Sequence, residues 1–269
     1  MRRTILGAAV IALALAGCGR EHHNLTPVAK QMDAYGNAHD LNGFASLLTD
    51  DVVLKGPDGS MHNGKESARA WMAPYMPGFH VESYGWEHAG DTLKWMSTVH
   101  SDAFARMGIN PMKLNTMAVF SGDKVRYFTT APSPETANKM RFLQFYAVVI
   151  NGKQIDSIDS FLTDDFVDHG VAPPNFPKGK AGVKVFFKMM LEAYPDMHVT
   201  PNLTLDDGEY AFIAATWEGT NKGKFMGMPA TNKAMTWTGG DVVRIVNGKA
   251  TEHWGWDDMA VRMAMARGK

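Results

Sequence analysis

Glu252, His253, Trp254 and Trp256 fall within five consecutive positions near the end of the chain, and Asp241 stands eleven positions before Glu252. A carboxylate, an imidazole and large aromatic rings together are the groups that move protons in a dry pocket. Partial desolvation raises a carboxyl pKa toward the range useful for proton transfer. Asp241, Glu252 and His253 are therefore the candidate acid/base residues, and Trp237, Trp254 and Trp256 the candidate pocket wall. Each has a plainer reading. The two acids could sit at a solvated rim, paired with Arg244 or Lys249. His253 could be a surface or packing residue, and the tryptophans could be core or the contact between two halves of the chain.

These residues need a scaffold, and Asn247-Gly248 supplies its turn. A type I′ turn requires φ > 0 at both central positions, which Asn and Gly tolerate best. Strands are expected at about 234–246 and 249–256, with Val246 facing Lys249, Val243 facing Glu252, Asp241 facing Trp254 and Gly239 facing Trp256. Side chains alternate with period two. One face then carries Trp237, Asp241, Val243, Ile245, Ala250, Glu252, Trp254 and Trp256, and the other carries Val242, Arg244, Thr251 and His253. The first face is the more apolar and is expected to point inward. A bulge at Gly239-Gly240 or Gly255 would shift this register and bring His253 inward instead.

Upstream, Val183, Phe186, Phe187, Met190, Leu191 and Tyr194 follow the spacing of one apolar helix stripe, stopped by Pro195. Strands at about 198–205 and 209–218 follow, joined by Asp206-Asp207-Gly208. Trp217-Glu218 and the loop Phe225-Met226-Gly227-Met228-Pro229 have the composition of a pocket mouth or lid, so Trp217 and Met226 join the candidate ligand contacts. The plan occurs twice. Leu48-Thr-Asp-Asp-Val52 recurs as Leu162-Thr-Asp-Asp-Phe166, Gly64-Lys65 as Gly179-Lys180, His80-Val81 as His198-Val199 and Gly90-Asp91 as Gly208-Glu209, at offsets of about 114 to 125 residues. Each half ends in a hairpin, at Gly122-Asp123 and Asn247-Gly248. The halves meet at Ser133-Pro134, an N-cap followed by a first helical position, which opens an apolar helix over 134–150. With no Gly/Ser-rich linker, they are expected to pack as a fixed pair. The first half lacks the constellation: Tyr127 and Phe128 stand where Glu252 and His253 stand in the second. Its polar candidates, His88, His100 and Asp102, read more simply as surface residues.

The segment Gly219-Thr-Asn-Lys-Gly-Lys-Phe-Met-Gly-Met-Pro-Ala-Thr231 together with the hairpin resembles the SnoaL-like polyketide or ester cyclase family of the nuclear transport factor 2-like fold. The resemblance covers about 139–258 well and 25–132 weakly. It implies an α+β chain of two tandem cone-shaped domains, 27–133 and 134–269, each a curved antiparallel sheet wrapped by helices, mimicking the dimers common in that fold. It also implies cofactor-free chemistry, in which a last-strand carboxylate takes a proton beside a carbonyl before aldol ring closure. Asp168 and His169 then belong to a neighbourhood that feeds the pocket. Three departures stand out. The family's catalytic Asp position, two after the His, is Gly255 here. Where the prototype has a His three before the hairpin Arg, this chain has Asp241. Either Asp241 has taken over the chemistry or the chemistry is lost. The family's Gly-Thr-His is Gly219-Thr220-Asn221 here.

The N-terminus reads as an address. Arg2-Arg3, an apolar run over Ile5–Leu15 and the lipobox Leu15-Ala-Gly-Cys18 form a lipoprotein signal peptide over 1–17, with Cys18 lipidated and 18–26 as a tether. Gly19, rather than Asp, suggests the outer membrane facing the periplasm. Cys18 is the only cysteine, so no intrachain disulfide exists, and a chain that is 45% hydrophobic can build packed cores instead. A net charge of −1 gives no electrostatic case for nucleic acid. No phosphate loop, Cys-based metal spacing or nucleophile elbow is present, and His22-His23 alone do not define a metal site. The expectation is an envelope lipoprotein that holds a small apolar or carbonyl-containing molecule, without cofactor or metal. The alternatives are a cyclase or isomerase, or a non-catalytic interaction module.

Overall fold

The computed structural model describes residues 24–170 and 175–267. The expected signal peptide, Cys18 and His22-His23 lie outside the described residues. The first half runs α1 (Thr26–Asn37), α2 (Leu41–Ser46), β1 (Leu48–Lys55), β2 (Met61–Asn63), α3 (Lys65–Met72), β3 (His80–Ala89), β4 (Thr92–His100), α4 (Asp102–Arg106), β5 (Met112–Ser121) and β6 (Lys124–Pro132). The second runs α5 (Pro134–Phe145), a π-helical turn (Tyr146–Asn151), α6 (Ile158–Phe161), β7 (Leu162–Asp168), α7 (Gly179–Ala193), β8 (His198–Asp206), β9 (Tyr210–Thr220), β10 (Ala234–Val246), β11 (Lys249–Asp257) and α8 (Met259–Ala266). Each half forms its own sheet, ordered β2-β1-β6-β5-β4-β3 and β7-β11-β10-β9-β8. Helices cover an apolar core in each. The α+β reading with two tandem cones holds. Among the described residues, the pairs β1–β6 and β7–β11 run parallel and the other pairs antiparallel.

The repeated words of the sequence have repeated physical jobs. Lys65 pairs with Asp50 at 2.7 Å, and Lys180 pairs with Asp164, so the Lys that opens a helix reaches back to the same Asp of the Leu-Thr-Asp-Asp strand in both halves. The glycine before each Lys has positive φ, +85° at Gly64 and +62° at Gly179, which a Cβ would strain. Asn37 clamps both backbone groups of Val81, at 2.7 and 3.0 Å, and Asn151 does the same to Val199, at 2.8 and 3.0 Å. An Asn at the end of the first long helix thus fixes the start of the third or eighth strand.

Ser133 caps α5 by accepting from the Thr136 amide at 3.3 Å, and Pro134 fills the first turn. Met140 and Leu143 of α5 pack on the first-half cluster of Val81, Val99, Phe104, Ile109, Met112 and Leu114. The Thr204 hydroxyl donates to the Gly108 carbonyl at 2.6 Å, and Lys113 pairs with Glu135 at 3.0 Å. In the second half, α5, its π-turn and α7 lie over the sheet, so their apolar residues and the inner face of β9–β11 enclose one space.

Candidate functional site

The hairpin turns at Asn247-Gly248, with φ of +51° and +75°, and Val246 faces Lys249 as its sequence predicts. Ile245 then faces Ala250, but Arg244 faces Glu252, leaving Thr251 as one extra residue. Its hydroxyl lies 3.3 Å from the Arg244 carbonyl. One inserted residue reverses the facing of every side chain beyond it. The expected register, with its bulge sought at the glycines, is thus corrected: Val243 faces His253, Val242 faces Trp254, Asp241 faces Gly255 and Gly240 faces Trp256. His253 turns inward beside Asp241.

Glu252 and Trp254 turn outward, which removes them from the pocket. Glu252 takes 2.9 Å and 3.2 Å bonds from His169 and Arg244. The His169 bond first, then that from Arg244, holds its carboxyl below the usual range, the opposite of what a proton-transfer acid needs. Trp254 stacks on His169, with ring centroids 4.4 Å apart and planes 6° off parallel. His169 is thereby engaged outside the cavity. Trp256 remains at the cavity rim and is 63% exposed.

Inside, four groups form one line. Asp168 at the end of β7 lies 3.0 Å from His253 Nδ1, His253 Nε2 lies 3.0 Å from Asp241 Oδ1, and the Tyr146 hydroxyl donates to Asp241 Oδ2. Burial alone would lower the His253 pKa, but the two carboxylates bonded to its ring outweigh it and lift the value to about 9. The ring is an imidazolium at neutral pH, donating from both nitrogens. Burial pushes the Asp168 carboxyl up, yet the His253 bond and charge bring it below the ordinary carboxylate value. Tyr146 is buried against the Asp241 charge, and both effects raise its pKa well above that of free tyrosine, so it stays a neutral donor. The line reads carboxylate, imidazolium, carboxylate, phenol.

Gly255 explains how the line fits. A Cβ there would lie 2.9 Å from His253 Cε1 and 3.0 Å from Asp241 Oδ1. Asp241 reaches from the neighbouring strand into the room that a residue-255 side chain would need. An Asp at 255 and an Asp at 241 are therefore alternatives for nearly the same place.

The line borders a cavity of about 1030 Å³. Its wall is largely aromatic and aliphatic, with Phe145, Phe161, Phe186 and Phe187 on the helix side and Trp217 and Trp237 on the sheet side. The two indoles stack at 6.2 Å and 15° and are nearly buried, 8% and 2% exposed, so each serves as core and wall. Met226 stands at the mouth, on a turn closed by mutual Phe225–Met228 backbone bonds. Asn221 is fully buried; its side chain bonds the Gly223 carbonyl at 2.9 Å and the Thr231 amide at 2.8 Å, shaping that mouth loop. Sequence reasoning missed Tyr146. Its one signal was a phenol on the apolar face of the 134–150 helix, where a buried hydroxyl needs a partner. In the first half, His88 bonds Thr26 at 2.9 Å and His100 lies against His80, so no comparable line forms there. Among the described residues no group of His, Cys, Asp or Glu is arranged to hold a metal ion.

The fold and site define a helix-covered α+β cone with an acid/base line in its wall. Residues 140–264 match the family described as SnoaL-like polyketide cyclase, and residues 28–124 match the SnoaL-like domain. The chain is a tandem of two SnoaL-like domains. Several solved structures are similar to about half of the chain. A presumed SnoaL-like polyketide cyclase from Jannaschia sp. CCS1 is 17% identical, covering 50% of this chain and 94% of its own at a TM-score of 0.45. IdmH, a presumed polyketide cyclase from Streptomyces antibioticus, is 24% identical over 49% of this chain and 99% of its own, at 0.43. TsrD from Streptomyces laurentii is 18% identical over 49% and 96%, at 0.45. No curated protein sequence matches the chain.

Proposed function

We propose that the second domain catalyses cofactor-free proton transfer next to a carbonyl group in a small apolar molecule, with Asp241 as the base. The observation that carries this reading is the placement of the Asp241 carboxylate over Gly255, between Tyr146 and His253, in the wall of the apolar cavity. The C–H bond α to the carbonyl breaks, its proton passes to an Asp241 oxygen, and its electron pair moves onto the carbonyl oxygen. The enolate then attacks a second carbonyl or takes the proton back. His253 and Tyr146 are positioning residues: they hold the carboxylate in one orientation and leave each oxygen a free lone pair. Such a base contributes about 10²–10⁴-fold. Trp217 and Trp237 are the proposed flat contacts for the ligand, with Met226 and Trp256 at the mouth. The lipobox at Leu15–Cys18 supports an envelope location facing the periplasm, and the contacts through α5 support a built-in pseudo-dimer.

A second reading, ligand binding without turnover, is favoured by one observation: both His253 nitrogens and both Asp241 oxygens are already bonded. The chain lacking residues 1–18, incubated in D₂O with small ketones and β-keto esters, separates the two. Loss of α-proton NMR signal faster than in buffer, abolished by Asp241→Asn while that variant stays folded and still binds the ligand, supports catalysis. Ligands that raise the melting temperature without any exchange leave only the binding role.

A further inference from the structure

The first cone has a cavity of its own, about 90 Å³, walled by apolar side chains that include Met32, Phe44, Trp71, Met72 and Phe104. An apolar cavity of about 150 Å³ accepts benzene, a body of six heavy atoms, so this one of about 90 Å³ takes about three or four. Its polar groups are few. The Asp33 carboxylate from α1 borders it, half-buried, and Thr130 from β6 borders it from the sheet. Thr130 is 7% exposed, and its buried hydroxyl finds no hydrogen-bond partner among the described residues.

Asp33 has no counter-charge there. Among the described residues lining the cavity there is no Lys, Arg or His, and the other titratable group is Tyr75, whose pKa is raised first by burial and then by Asp58. Burial pushes the Asp33 carboxyl up to about 6, with the Ser83 hydroxyl opposing the shift. A carboxylate taken partly out of water without a cation is costly unless something supplies the positive charge.

We propose that this cavity binds a small alkylammonium ion, its charge on Asp33 and its carbon chain among Met32, Phe44 and Met72. The site is independent of the second-domain cavity. The probe is n-propylammonium chloride, with 1-propanol as the neutral match of equal size. Methyl-¹³C methionine labelling of the chain lacking residues 1–18 reports through Met32 and Met72, each assigned by its Met→Leu variant. At pH 8 the expected result is a saturable shift of both methyl signals with n-propylammonium, an at least tenfold weaker response to 1-propanol, loss of the response in Asp33→Asn and its retention in Asp241→Asn. Equal responses to the two probes, no response, or full binding by Asp33→Asn each overturns the proposal. Asp33→Asn removes a buried charge, and an unshifted methyl spectrum in the absence of probe verifies that it folds.

Discussion

Asp241 and Gly255 are cross-strand partners, and the Asp241 carboxylate fills the space a side chain at 255 would occupy. The neighbouring strand thus places an acid in the room that position 255 leaves open. Gly255→Ala tests this. The added methyl meets His253 and Asp241 below 3.1 Å, so one of the two must move. The expected outcome is a second domain destabilised by about 1–3 kcal/mol, the usual cost of overpacking, with the His253 Cε1 proton titrating well below pH 9 by NMR. Gly255→Asp combined with Asp241→Gly, which moves the acid back across the strands, is expected to restore α-proton exchange that Asp241→Gly alone abolishes.

Glu252→Gln and Trp254→Phe probe the outward face. Glu252 bonds His169 and Arg244 at an exposed site, and exposed pairs contribute little to stability. Both variants are expected to leave exchange rates and ligand-induced melting shifts as in the parent. Trp237→Ala, which opens the cavity wall, is expected to lose about 3–5 kcal/mol of stability, so the milder Trp217→Phe is the informative contrast for ligand affinity. A loss of exchange in Glu252→Gln would return that residue to the site.

The scaffold was legible in the sequence because its signals are local. Asn247-Gly248 specified the hairpin turn, the stripe from Val183 to Tyr194 specified α7, and the repeated Leu-Thr-Asp-Asp and Gly-Lys words marked two copies, each word having a structural job in both halves. The site was half legible. Asp241, Trp217 and Trp237 do line the cavity, Trp217 as buried wall rather than mouth, but Thr251 carries no mark of a bulge, being neither Gly nor Asn. That one residue exchanged His253 for Glu252 and took Trp254 out. Tyr146 lies 95 positions from Asp241 in sequence, and no spacing rule joins them. The anion-steadying line is a tertiary feature, set by how α5 and its π-turn lie over the sheet.

Tyr146→Phe tests positioning apart from proton abstraction. Removing the hydroxyl leaves Asp241 Oδ2 without its buried donor, a loss of about 1–3 kcal/mol in stability. The exchange rate is expected to fall in this variant, but by less than in Asp241→Asn, because the base itself remains. An exchange rate equal to the parent's would show that Tyr146 does not position the carboxylate.

His253 makes the stability of the second domain fall as pH rises. Its pKa is about 9 in the folded chain, against 6.5 for the free side chain. A group whose folded pKa is raised contributes its stabilisation fully below the unfolded value and loses it as pH climbs through the folded value. The window is therefore about pH 6.5 to 9. A shift of one unit corresponds to about 1.4 kcal/mol, so the effect is on the order of a few kcal/mol for this largely buried ring. Asp168 is bonded to the same ring, but its depressed pKa places its own contribution at acidic pH, where it is lost as pH falls, so it does not mask the trend. Urea unfolding followed by second-domain tryptophan fluorescence is expected to show lower stability at pH 9.5 than at pH 6. His253→Gln, which lacks the titrating ring, is expected to be less stable at pH 6 and nearly flat across the same range. A parent protein equally stable at both pH values would show that the imidazolium is not held between Asp168 and Asp241.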